Sequence, residues 1–240
     1  MRAKKRKSKA IRLLRIALMV VLVGGTVGFA TLWLIFQHKP DWYRPPPINE
    51  RMLRDARSEV AEIVEGISRR IVRGETFELS FTDETVNQWL AALPRVWPGA
   101  RRNVPPELRD LVIRFEDGRI RIASLYVKGG WRAVLTVAVE VGLSKDGRRV
   151  SLELIEAHGG SLPVPHSVLV YMLGGLAIGG ADTVIRSGDP PTPYKPGTAA
   201  DWLSGLRVPN RFVWPNGKRP FRIDAIELTQ GRIRLRLESL

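Results

Sequence analysis

The chain of 240 residues has room for one membrane anchor plus one domain of ordinary size, and a hydrophobic content of 44% excludes a wholly disordered chain. It has no cysteine, which excludes disulfides, thiolate metal sites and a cysteine nucleophile together. The net charge of +14 suggests nucleic acid until it is mapped: eight basic residues lie within the first fifteen positions without one acid, so the other 225 carry only +6.

Those eight are Arg2, Lys4, Lys5, Arg6, Lys7, Lys9, Arg12 and Arg15, and the segment after them decides their reading. Ile16 to Phe36, "IALMVVLVGGTVGFATLWLIF", is 21 residues without a charge. At about 1.5 Å per helical residue it crosses a hydrocarbon core of roughly 30 Å. Lys and Arg beside such a segment stay on the cytoplasmic side. The expected order is a cytoplasmic basic tail (1–15), a transmembrane helix (16–36) and an extracytoplasmic remainder, with no nucleic-acid partner. A secretory signal peptide shares this order of charge and hydropathy. Against it, the apolar run is longer than a typical signal core, and "WLIFQHKP" has no small-x-small cleavage pattern. Trp33, Trp42 and Tyr43 suit either an outer aromatic belt or ordinary packing.

Residues 37–47 hold Pro45, Pro46 and Pro47, which favour an extended polyproline conformation and predict a short stiff stalk. An α+β domain is expected over 48–240. Met52, Leu53, Ala56, Val60, Ile63, Val64, Ile67 and Ile71 recur at helical spacing, so 48–73 reads as an amphipathic helix ended by Gly74. "TFELSF" alternates as a strand. Thr82 then caps a helix "DETVNQWLAAL", with Asp83 and Glu84 in its first turn and Pro94 and Pro98 closing it.

From Leu111 the pattern is β. Turns at Asp117-Gly118, Gly129-Gly130 and Asp146-Gly147 separate four apolar-alternating runs, an antiparallel meander. In "WRAVLTVAVEVGL", Trp131, Ala133, Leu135, Val137, Val139, Val141 and Leu143 share one face, with Val134 and Ala138 on the other, so part of the strand is covered on both sides. "FRIDAIELTQGRIRLRLESL" is a second hairpin turning at Gln230-Gly231, and its "QGRIRL" resembles "DGRIRI" at Asp117. This hairpin is expected to complete the meander's sheet.

Between meander and hairpin, "GGSLPVPHSVLVYMLGGLAIGGADTVI" (Gly159 to Ile185) carries no Asp, Glu, Lys or Arg before Ala181. Pro163 and Pro165 delay any regular helix to about His166, which leaves an uninterrupted apolar run shorter than a span. A second span would also sever the final hairpin from the meander. Residues 166–186 are therefore read as a core helix, with a second span as the alternative.

"FELSFTDETVNQWLAALP", a strand leading into Thr82, Asn87 and Leu90, and "GGSLPVPHSVL" after the meander resemble single-span bacterial envelope proteins of unknown function. The ectodomains of those proteins are akin to tubular lipid-binding domains. The resemblance covers two short patches and the element order. It implies a sheet wrapped around a long helix and the binding of lipid-like molecules. From the residues alone, Asn87 is expected to hydrogen-bond nearby backbone.

Enzymatic motifs are missing. His38 belongs to the boundary of the apolar helix, no clear Asp or Glu completes a metal set with His158 and His166, and Ser161, His166 and Ser167 lack a nucleophile elbow. The pairs Asp83/Glu84 and Glu153/Glu156 sit at a helix start and on a strand, where capping and solvation explain them. The expected fold class is α+β: a transmembrane helix, then an antiparallel meander sheet packed on the apolar 166–186 helix and the amphipathic 48–73 helix. The expected function is a non-enzymatic, single-pass membrane-anchored module without metal or cofactor. It would bind a lipid or other apolar ligand in a groove lined by Trp131, Leu169, Tyr171, Met172 and Leu176. The alternative is a scaffold that docks an envelope protein through its sheet edge and the arginine stripes Arg119, Arg121, Arg232, Arg234 and Arg236.

Overall fold

The computed structural model describes residues 2–96, 105–165, 186–187, 192–193, 205–213 and 219–240, with backbone alone for 2–17, 186–187 and 192–193. The apolar stretch 166–185, expected as a core helix, lies outside the described residues. Arg186–Ser187, at its end, form a short strand.

Helix α1 runs Arg2–Gln37, and within it Leu18–Gln37 is long and apolar enough to cross a membrane. Its described side chains are mostly exposed over this length, as a helix without protein around it must be. The chain then turns back on itself. Tyr43 packs with Val112, Ala123 and Val134, with Trp42 and Leu125 beside them, and is only 3% exposed. The expected stalk is thus folded onto the domain, and Trp42 and Tyr43 are core residues rather than members of a belt. Apolar ring area buried against the sheet outweighs the stiffness of the prolines behind it.

Helix α2 (Glu50–Arg73) starts where Asn49 Oδ1 accepts the Met52 N–H at 2.8 Å and ends at Gly74 in the left-handed region. Strand β1 (Thr76–Thr82) follows, then α3 (Asp83–Val96), capped by Thr82 Oγ1 accepting the Thr85 N–H. α3 continues past Pro94 to Val96. A proline in the last turn costs one helical hydrogen bond and leaves the earlier turns intact.

The meander is β2 (Leu108–Glu116), β3 (Arg119–Lys128), β4 (Trp131–Leu143) and β5 (Arg149–Gly159), all antiparallel neighbours. Beyond it come the short strands β6 (Leu162–Pro163), β7 (Arg186–Ser187), β8 (Thr192–Pro193), β9 (Leu206–Pro209) and β10 (Phe212–Val213). Of these, β6 and β9 both pair with β5. The C-terminal hairpin, β11 (Pro220–Thr229) and β12 (Arg232–Ser239), does not complete this sheet. It forms a second sheet in the order β1-β12-β11-β10-β7-β8. β1 supplies the reason: its Phe77, Leu79 and Phe81 pair across from Leu237, Leu235 and Ile233, giving the hairpin the third strand it needs.

The amphipathic helix α2 packs on this second sheet, not on the meander. Ile67 and Ile71 meet Phe77, Phe221 and Leu237, with Ile63, Leu79, Phe212, Ile223 and Leu235 at the margin. On the meander, Ala133 and Val134 are buried on opposite faces of β4, so that strand is covered on both sides at this point.

Two polar devices join the sheets, and a third ties α3 to the meander. The look-alike turns clasp one another: Gly118 N–H donates to the Leu228 carbonyl (3.2 Å) and Gly231 N–H to the Phe115 carbonyl (2.9 Å). Aligning "DGRIRI" with "QGRIRL" matches Gly118 to Gly231 and Phe115 to Leu228, so the two bonds are related by a local twofold. Gln230 N–H adds a bond to Asp117 Oδ1. The other two devices are asparagines. Asn87 Nδ2 donates to the Ile113 carbonyl (2.8 Å) while its Oδ1 accepts the Ile113 N–H (2.6 Å), so the amide acts as one residue of an extra strand on the edge of β2. Asn210 does the same to Ile223 and also donates to the Gly147 carbonyl. Asn87 therefore bonds backbone 26 residues away, not nearby.

Candidate functional site

Two features at one end of the meander stand out: the docked end of α1 and an apolar groove beside it. The β5–β6 turn holds the last turn of α1. Ser161 N–H donates to the Ile35 carbonyl (3.1 Å), and Ser161 Oγ lies 2.8 Å from His38 Nδ1. A helix C-terminus leaves its last carbonyls short of helical partners; the Ile35 carbonyl accepts the His38 N–H (3.3 Å), and the domain supplies its second donor. The approach is close because Gly159 and Gly160 lack side chains. A Cβ on Gly159 would meet the Phe36 ring at 2.8 Å, and one on Gly160 would meet the carbonyl oxygens of Ile35 and Phe36. Gly160 also has φ +60, which favours glycine for a second reason. Its own N–H is used by the Val134 carbonyl, which ties the turn to β4.

Trp131 opens β4 at the same end. Its ring lies edge-on to Trp33 (4.8 Å between centroids) and Phe36 (6.5 Å), yet the residue is 51% exposed. Of the five residues expected to line a groove, Trp131 is the one described, and it packs on the apolar helix α1. Leu169, Tyr171, Met172 and Leu176 lie outside the described residues.

A groove lined by apolar side chains does occur, in a place the sequence did not reveal. Pro45, Pro46 and Ile48 form one wall, Leu90, Leu93 and Pro94 of α3 a second, and Leu108 and Leu111 of β2 the third, around about 420 Å³. Arg109 and Asp110 supply polar groups at the rim. That volume lies within the range of small-molecule sites, and an apolar lining with few polar groups is their usual chemistry. Leu108 pairs with Tyr126, two residues before the end of β3, so the Leu108 end of the groove lies about 7 Å along the strands from the turn that carries Trp131. Two other depressions, of about 730 and 870 Å³, are lined by mixed charges such as Asp41, Arg44, Asp83 and Arg114, or Lys145, Arg148, Arg149 and Glu153.

Asp110 shapes the groove rim. It sits at φ 52, inside the irregularity between Arg109 and Val112 of β2. Its carbonyl accepts the Tyr43 hydroxyl at 2.8 Å. Burial pushes the Tyr43 phenol up to about 12, and the neighbouring Asp110 carboxylate adds to the shift. Tyr43 thus stays protonated and pins the segment that forms one groove wall.

The arginine stripes separate in three dimensions. Arg119 and Arg121 lie on the face that Trp42 and Tyr43 cover. Both bond Glu116 (2.7 and 3.2 Å), Arg119 also reaches Glu156, and Arg121 stacks 6.0 Å from the Trp42 ring centre. Arg232, Arg234 and Arg236 lie on the face of the second sheet opposite α2. Arg234 stands between Glu78 and Glu227, and Arg236 faces Asp224. The two stripes do not form one basic surface, and among the described residues acids accompany Arg119, Arg121, Arg234 and Arg236.

The chain matches no protein-family model, no curated protein and no solved structure. Sequence reasoning missed Ser161 and Gly160 as docking residues. Nothing local to the Gly-Gly-Ser-Leu-Pro run says that a helix end rests on it.

Proposed function

We propose that this protein is a membrane-tethered, extracytoplasmic, non-enzymatic module that holds a lipid or another apolar ligand in the groove between Pro45–Ile48, α3 and β2. The observation that carries the reading is an apolar-walled groove at the end of the domain that rests on the apolar helix α1. A lipid leaving a bilayer crossed by α1 would meet this end first. The rim supplies a cation (Arg109) and an anion (Asp110), enough to hold a polar head while the walls take the apolar part. The resemblance of "FELSFTDETVNQWLAALP" to envelope proteins with lipid-binding ectodomains points the same way, since Leu90 and Leu93 of that segment form a groove wall. The acids beside Arg119, Arg121, Arg234 and Arg236 lessen the attraction those residues hold for an acidic partner, so the scaffold reading is second.

The test places a photoreactive benzophenone amino acid at Leu111 of the full-length protein in its native membrane. The expected product is an adduct with the mass of a lipid or other small apolar molecule, lost when Leu93→Trp fills the groove. A protein adduct alone would favour the scaffold reading. No adduct at all would remove the ligand reading.

A further inference from the structure

The turn between β3 and β4 carries Lys128, Gly129, Gly130, Trp131 and Arg132, with both glycines at positive φ (56 and 84) so that the tip is narrow. Trp131 and Arg132 are exposed, and the Lys128 side chain is 65% exposed with Glu107 at 3.9 Å. A tryptophan half in water beside two cations is costly for a soluble surface and favourable at a lipid headgroup layer.

The contact of this turn with α1 sets its depth. Leu18–Gln37 is 20 residues, about 30 Å of helix, which is the thickness of a hydrocarbon core. Trp33 lies four residues before Gln37, hence about 6 Å below the end of that span. Phe29 lies one turn deeper, its ring 6.3 Å from that of Trp33. Trp131 is in ring contact with Trp33 at 4.8 Å between centroids. Whatever depth Trp33 takes, Trp131 takes nearly the same one. The bonds of Ser161 to Ile35 and His38 hold the domain so that this depth is set by the fold.

We infer that the β3–β4 turn is a second membrane contact: Trp131 sits in the extracytoplasmic interface of the bilayer beside α1, and Lys128 and Arg132 reach lipid phosphates. The domain is then held in one orientation on the leaflet instead of swinging on the segment that follows α1. The inference rests on α1 crossing the membrane and not on any ligand in the groove.

The absence of cysteine makes the test direct. Single cysteines at Lys128, at Val27 in mid-helix and at Asp146 on the far β4–β5 turn are labelled with the fluorophore NBD. The full-length protein is placed in phosphatidylcholine–phosphatidylglycerol nanodiscs. Quenching by lipids carrying a nitroxide near the headgroup for labels 128 and 146, and at the middle of the acyl chain for label 27, is read together with quenching by aqueous iodide. Label 128 is expected to be quenched by the lipid nitroxide and shielded from iodide, label 146 the reverse, and Trp131→Glu to lower the lipid quenching at 128. If label 27 is lipid-quenched while 128 behaves like 146, the inference is overturned with the anchor intact. If label 27 also escapes lipid quenching, α1 is not in the membrane and both fall. Neither result bears on the adduct at Leu111, so failure of the ligand reading remains separable.

Discussion

Replacing Gly160 with alanine should release α1 from the domain without unfolding either. The new Cβ would stand 2.5 Å from the Ile35 carbonyl oxygen and closer to that of Phe36, both backbone atoms that cannot rotate away. Restoring van der Waals separation requires the helix end to retreat by about 1 Å. The Ser161 N–H to Ile35 bond, 3.1 Å now, would then stretch to about 4 Å and cease to be a hydrogen bond. What holds the dock is small: about 1 kcal/mol for each hydrogen bond and about 1 kcal/mol for the Trp33–Trp131 ring pair. Against it stands the overlap with two backbone oxygens, which undocking relieves, whereas the cost of alanine at φ +60, about 1–2 kcal/mol, falls on the turn in either state. Undocking wins, with residues 37–41 as the hinge, because Trp42 and Tyr43 remain packed on the sheet. Spin labels at Val23 and Ile155, both exposed, would report it by pulsed dipolar spectroscopy in nanodiscs. The native protein should give a narrow distance distribution and Gly160→Ala a broad one. Gly159→Ala should have a smaller effect, because the Phe36 ring it meets can turn aside. A distribution as narrow in Gly160→Ala as in the native chain would refute the docking.

Two further predictions concern the clamps around the groove. Asn87→Ala removes two hydrogen bonds and leaves the Ile113 N–H and carbonyl without partners, which should cost about 2–4 kcal/mol, measured as a lowered urea midpoint. Asn87→Asp should be no milder, since a carboxylate cannot donate to the Ile113 carbonyl; full stability in either variant would contradict the clamp. For Tyr43, the folded value of about 12 stands above the unfolded value of about 10. The folded state therefore holds its proton longer, and its contribution is complete below pH ~10 and lost as pH rises toward ~12. The urea midpoint of the native protein should fall more steeply than that of Tyr43→Phe across this window, and parallel curves would show that the phenol is not buried.

The local elements were legible because their causes are local. Gly74 ends α2, the three glycine turns set the meander register, and the charge-free run from Ile16 forms part of the apolar helix. Each depends on residues within a few positions of one another, through cap geometry, positive φ or the periodicity of apolar side chains. The partition of strands into two sheets was not legible. "TFELSF" and "RIRLRL" lie more than 150 residues apart, and alternation says which face is apolar but not which strand lies beside it. The folded stalk escapes a local reading for the same reason: three prolines predict an extended backbone, but not that Trp42 and Tyr43 find a sheet face to cover. The sequence pointed Asn87 to nearby backbone and gave no sign for Asn210, and only a distant strand made each of them a clamp. By itself, the sequence determined the apolar helix and its basic flank, the helices, the turns and the antiparallel grammar, because short-range sterics and hydrophobic periodicity suffice for these. Tertiary structure alone decided that the helix end rests on Gly159–Ser161, that Trp131 lies beside Trp33, and that the groove forms among Pro45, Leu93 and Leu111. Each of those is a contact between segments far apart in the chain, specified by shape and burial that no short stretch encodes.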